Sequence, residues 1–223
     1  MSHRRIVIGD IHGCPKTLNK LLNDKIKIHK SDYIYFLGDY IDRGPNSKKV
    51  IDIIIELLIM GFNVKCLIGN HELMLLESVH SNITFQTWLK NSGKVTLDSF
   101  KISHPSQLKR RYMLFFQSLQ YYIELDDFIL VHGGLNFDIE EPLKDVLSMC
   151  WTRNLTVDKS KIGGRRIIVG HTPTKLSKIK KTLEEDRILL DGGCVYDNIE
   201  NDLGYLVALE LNSMELFTQK NVE

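Results

Sequence analysis

Short apolar runs and longer apolar stripes alternate along the first eighty residues. Arg5 to Ile8 is a β-branched run that stops at Gly9 and reads as a strand. Pro15 suits the first turn of a helix, and Leu18, Leu21 and Leu22 then fall on one helical face. Tyr33 to Leu37 predicts a second strand. After Gly44-Pro45-Asn46-Ser47, the spacing of Val50, Ile54, Leu57 and Leu58 predicts an amphipathic helix that Gly61 ends. Val64 to Ile68 predicts a third strand, broken by Gly69-Asn70-His71-Glu72, and a helix follows through Leu73, Leu76 and Val79. The order β-α-β-α-β-α argues for an α/β fold.

Beyond Asn82 the pattern is harder to read. Trp88 and Leu89 look helical, Ser92-Gly93 looks like a turn, and Ser106 to Leu119 looks helical again. Tyr121 to Leu125 and Phe128 to Val131, joined by Asp126-Asp127, predict a hairpin. Arg166 to Val169 and Arg187 to Leu190 are further strands, and Tyr205 to Leu211 with Glu215 to Thr218 forms a second hairpin. Lys178-Ile179-Lys180-Lys181 reads as a solvated turn. Without repeat or linker, the 223 residues are expected to form one domain, 1–223, large enough for a substantial core.

Charge changes this picture little. The 29 basic and 28 acidic residues nearly cancel, which removes any broad bias toward nucleic acid or an anionic membrane. Four scattered cysteines, with no Cys-x-x-Cys pair, read as reduced thiols. The apolar run Val50 to Met60 is interrupted by Asp52 and Glu56 and falls short of the roughly 20 residues a membrane span needs. Nothing near the N-terminus fits a signal-peptide core. A cytoplasmic protein is the expectation.

The chemistry lies at strand ends. Gly9-Asp10-Ile11-His12-Gly13, Gly38-Asp39-Tyr40-Ile41-Asp42-Arg43-Gly44, Gly69-Asn70-His71-Glu72, His132-Gly133-Gly134 and Gly170-His171-Thr172 repeat one device: strand, glycine, then a metal-type ligand. A parallel-rich sheet would gather Asp10, His12, Asp39, Asn70, His132 and His171 along one edge. Carboxylate, amide oxygen and imidazole together suit manganese first, and iron or zinc after it, better than calcium. They also fit two adjacent ions better than one. Asp42 is placed to orient a neighbour, and Arg43 to clamp an anion.

These ordered motifs, GDIHG, GDYIDRG, GNHE, HGG and GHT, resemble those of the metal-dependent serine/threonine phosphoprotein phosphatases of the calcineurin-like superfamily. The compact bacterial and phage members, including the lambda-phage phosphatase, look most similar. The resemblance runs from Gly9 to about Asp191. It implies a β-sandwich flanked by helices on both sides, with a dinuclear metal site at the strand ends. By the resemblance, Asp10, His12 and Asp39 hold the first ion, and Asp39, Asn70, His132 and His171 the second, with Asp39 bridging. His71 protonates the leaving oxygen, Asp42 orients that imidazole, and Arg43 grips the phosphate. Trp151-Thr152-Arg153 resembles the family's tryptophan-x-arginine segment and makes Arg153 the second phosphate ligand.

The implied reaction is hydrolysis of a phosphorylated protein or peptide by direct attack of metal-bound hydroxide, with no obligate regulatory subunit. The nearest rival is a diadenosine tetraphosphate hydrolase. Those enzymes typically carry alanine where this chain has Asp42, and GNHD where it has GNHE. A nucleotide or RNA-end phosphoesterase shares the same core, and an inactive binding module is the rival of another class.

Overall fold

The computed structural model describes residues 3–154, 156–196 and 202–223. Two sheets stack face to face. In the first, the parallel strands β1 (Arg5–Ile8), β2 (Tyr33–Phe36) and β3 (Asn63–Cys66) are joined by antiparallel β8 (Tyr205–Glu210) and β9 (Glu215–Lys220), in the order β3-β2-β1-β8-β9. In the second, β4 (Tyr122–Glu124) runs antiparallel to β5 (Phe128–Val131), and β6 (Arg166–Val169) and β7 (Arg187–Leu189) run parallel to β5. The expected single parallel-rich edge is therefore two edges, one from each sheet.

Alternation along the strands divides the core. Ile6, Ile8, Ile34, Phe36, Leu206 and Ala208 face outward, onto the helices. Val7, Tyr35, Leu37, Val207 and Leu209 face inward, onto Ile129, Val131, Ile167 and Val169 of the second sheet. Parallel strands need crossovers, and helices supply them. One is α1 (Pro15–Lys20), which continues as a π-helical turn through Leu21–Ile26; another is α2 (Ser47–Ile59). Asn46 caps α2 by accepting from Lys49 N at 3.0 Å. Of its apolar stripe, Val50, Ile54 and Leu57 are buried but Leu58 is 42% exposed.

The stretch that resisted reading forms α4 (Asn82–Trp88) and α5 (Lys94–Phe100), which follow α3 (Asn70–Ser78). Between α4 and α5, Ser92 turns into the left-handed region at φ +74°, and Gly93 packs against the Trp88 ring with no room for a Cβ. Then come α6 (Arg110–Gln117), α7 (Val146–Trp151) and α8 (Leu176–Thr182). The expected turn at Lys178-Ile179-Lys180-Lys181 lies inside α8, and Ile179 is fully buried beneath its lysines. One apolar side chain among charges carries too little periodicity to announce a helix. No helix of the described residues is long and apolar enough to cross a membrane.

Candidate active site

Strand ends of both sheets converge. Asp10 and His12 follow β1, Asp39 follows β2, and Asn70 opens α3 just beyond β3, all from the first sheet. From the second, His132 follows β5 and His171 follows β6. All six are buried, none more than 6% exposed. Asp39 is central: Oδ2 lies 3.4 Å from His12 Nε2, and Oδ1 lies 3.4 Å from His132 Nε2. The ligand atoms of His12, Asp39 and His71 lie within 4.8 Å of one another, as do those of Asp39, His132 and His171. The two groups share Asp39. Asp10 accepts from His171 N at 2.9 Å through Oδ2, while its Oδ1 is buried with no hydrogen-bond partner.

Imidazole tautomers show what this cluster is arranged to hold. His12 Nδ1 sits 2.9 Å from Ile41 O and His132 Nδ1 sits 3.0 Å from Leu37 O. A carbonyl only accepts, so both Nδ1 atoms carry the hydrogen and both Nε2 atoms point inward as acceptors. His132 Nε2 then faces Asn70 Oδ1 at 3.1 Å and Asp39 Oδ1 at 3.4 Å, acceptor against acceptor. His171 Nε2 is buried without a partner. Burial pushes His12 and His171 down to about 3 and lowers His132, so all three are neutral at physiological pH. Burial opposes the charge on Asp39, but its interactions with His132, His71 and the other histidines outweigh burial, so the carboxyl is lowered overall. Neutral imidazoles, a carboxylate and an amide oxygen aimed at one another are the donor set of a cation site.

A second network stands behind the first. His71 Nδ1 donates to Asp42 Oδ2 at 2.7 Å, with both side chains buried. Burial opposes the charge on His71, yet Asp39 and Asp42 together keep it above its ordinary value. Asp42 is held from every side. Trp88 Nε1 donates to Oδ2 at 2.7 Å and Thr96 Oγ1 donates to Oδ1 at 2.6 Å. Its backbone N–H is shared between Ser47 Oγ at 3.0 Å and Thr96 Oγ1 at 2.9 Å. Trp88 and Thr96 are the functional residues that sequence reasoning missed. The only signal was a tryptophan in a polar stretch, and nothing there indicated which acceptor its indole N–H would meet.

Glu72 holds the loop itself, as its Oε2 accepts from Asp39 N at 2.8 Å and Gly69 N at 3.0 Å, and Oε1 from Tyr40 N at 2.8 Å. Burial and then Asp39 push this carboxyl up to about 8, against the pull of those N–H groups. Arg43 donates to His12 Nε2 at 2.7 Å and to His71 Nε2 at 3.1 Å, so its guanidinium spans both networks. Arg153 is exposed in the segment after α7, and its charge is among those that lower His171.

The local backbone is strained to achieve this. His12, Asp39, Asp42, Arg43 and His171 all adopt φ between +46° and +68°, where a side chain costs about 1–3 kcal/mol. Two glycines make the packing possible: a Cβ on Gly38 (φ +110°) would fall 2.6 Å from Gly69 N, and one on Gly170 would fall 2.0 Å from Asp10 Oδ1.

The model of the family described as calcineurin-like phosphoesterase matches residues 3–206. A symmetrical bis(5'-nucleosyl)-tetraphosphatase of Buchnera aphidicola subsp. Schizaphis graminum is 31% identical over 64% of this chain, which spans about half (49%) of that relative's length. An asymmetrical bis(5'-nucleosyl)-tetraphosphatase of Anoxybacillus flavithermus is 24% identical over 94% of this chain and 91% of its own. Among solved structures, a serine/threonine phosphatase from Saccharomyces cerevisiae superposes with a TM-score of 0.63 over 100% of this chain and 81% of its own, at 17% identity, which shows the shared fold.

Proposed function

This chain belongs to the calcineurin-like phosphoesterase family, and we propose that it hydrolyses a dinucleoside polyphosphate with the help of two divalent ions. The inward-facing acceptors, with no hydrogen between His132 Nε2, Asn70 Oδ1 and Asp39 Oδ1, carry the metal-dependent part of this reading. The substrate rests on the tetraphosphatase relative that aligns end to end with this chain.

Asp10, His12 and Asp39 would hold one ion, and Asp39, Asn70, His132 and His171 the other. Bound there, divalent ions supply positive charge against phosphate oxygens and lower the pKa of a water. The chain's own residues do the rest. Arg43 and Arg153 bind phosphate oxygens; once His12 Nε2 serves an ion and His71 Nε2 carries a proton, neither accepts from Arg43, and its guanidinium is free to donate to phosphate. His71 carries a proton on Nε2 toward the leaving oxygen, and Asp42 accepts from Nδ1 and fixes the ring.

The same pair favours a second reading. A phosphoanhydride leaves readily, whereas a serine or threonine alkoxide needs a strong proton donor, so a buried His71–Asp42 pair suits a protein serine/threonine phosphatase. A substrate panel with added manganese separates the two. Diadenosine tetraphosphate is expected to give a kcat/KM at least tenfold above phosphoserine, phosphothreonine and phosphotyrosine peptides and a cyclic nucleotide. Nucleotide products also tell symmetrical from asymmetrical cleavage. A phosphoserine or phosphothreonine peptide turned over fastest would install the second reading instead.

A further inference from the structure

A cavity of about 560 Å³ opens between α2, α5 and α6, within the roughly 300–1,000 Å³ range of small-molecule sites. None of its lining residues belongs to the metal or phosphate set. One wall is aromatic: Phe100 and Tyr112 meet edge to face at 4.9 Å between centroids. The rim is cationic, with Lys48, Lys101 and Lys109 lining it and no carboxylate among the lining residues. Asp52 lies outside the lining and neutralises Lys48 at 2.6 Å. Lys101 and Lys109 have no carboxylate partner among the described residues. Lys101 ends α5 at φ +55°, in the left-handed region.

An aromatic wall, with the half-buried Phe100 ring as its more accessible member, and uncompensated ammonium groups together select an aromatic ring that carries a negative charge. We propose that this cavity binds a planar aromatic anion of about mononucleotide size, and that its occupancy is read at Asp42. Both walls run to that residue. Ser99 Oγ accepts from Lys48 N at 3.1 Å, tying α5 to the start of α2. One turn earlier on the same face of α5, Thr96 holds Asp42 by two hydrogen bonds and meets Ser47 Oγ at 2.8 Å. A ligand wedged between Phe100 and Lys48 favours one spacing of α2 and α5, and Asp42 transmits that spacing to the ring of His71. The site can therefore bias proton donation without touching substrate.

The probe is 8-anilinonaphthalene-1-sulfonate, a fluorescent aromatic anion, added to manganese-loaded enzyme. Saturable binding is expected that inorganic phosphate does not displace. Its Kd is expected to rise at least tenfold in a Lys101→Glu/Lys109→Glu double variant, and in Phe100→Ala. The binding arm is independent of which substrate the enzyme uses. For the coupling arm, kcat is followed on phenyl phosphate, whose leaving oxygen is more basic than that of a phosphoanhydride and so reports proton donation. The probe should change kcat at least twofold at constant KM in wild type and leave the double variant unmoved. Binding that phosphate displaces, or that is equal in wild type and variants, overturns the site; a saturated site with unchanged kcat overturns its link to Asp42.

Discussion

Asp39→Asn is expected to lower hydrolysis by at least about 10²–10³-fold, the scale lost when a central electrostatic contact is removed. Each carboxylate oxygen of Asp39 serves a different group of ligands, His12 on one side and His132 on the other. An amide can offer one acceptor but turns an N–H₂ toward the other group, and it removes the carboxylate common to both. The backbone should tolerate the change, because asparagine also accepts the left-handed conformation that Asp39 adopts at φ +51°. The loss should therefore appear with the fold intact, as fewer metal equivalents retained after dialysis. Wild-type rate and two retained metal equivalents in the variant would end the shared-ligand reading.

His71→Asn should lower kcat on alkyl phosphates by about 10²–10⁴-fold, the usual worth of general-acid help. Metal content should hold. Asp42 keeps Trp88 and Thr96 as donors, so it is not stranded as an unpaired buried charge. The loss should shrink on p-nitrophenyl phosphate, whose phenolate leaves without much need of a proton. A pH profile gives an independent sign. Asp39 and Asp42 raise His71 against its burial, so the acid form persists above the usual histidine range. The wild-type rate should fall as pH rises through that raised value, and this limb should vanish in the variant. An equal loss on both substrates would assign His71 a different role.

The candidate ligands could be picked out because they lie at glycine-flanked strand ends, a local signal that survives without knowing the partners. Asp42 was legible for the same reason, but its partners were not. Trp88 and Thr96 reach it across 46 and 54 residues, from helices joined by a turn at Ser92, and no periodic pattern encodes such a meeting. The two-sheet arrangement was hidden in a similar way. Alternating faces along β1 and β2 say that both sides are covered, but not that the inner side meets β5 and β6. At α8 the error ran the other way, since exposed lysines masked the one buried isoleucine that anchors the helix. Substrate choice was the least legible of all, because the ligand and acid residues describe phosphate chemistry and not what the phosphate is attached to.

The left-handed residues of the site carry an evolutionary consequence. At His12, Asp39, Arg43 and His171, glycine would relax the chain while removing a working side chain. A mutant library sorted for abundance in cells should accept glycine at these positions, while the same library sorted for turnover should reject it. They are where selection for persistence and selection for chemistry pull apart, and the ancestry of the side chains kept there records which pressure prevailed.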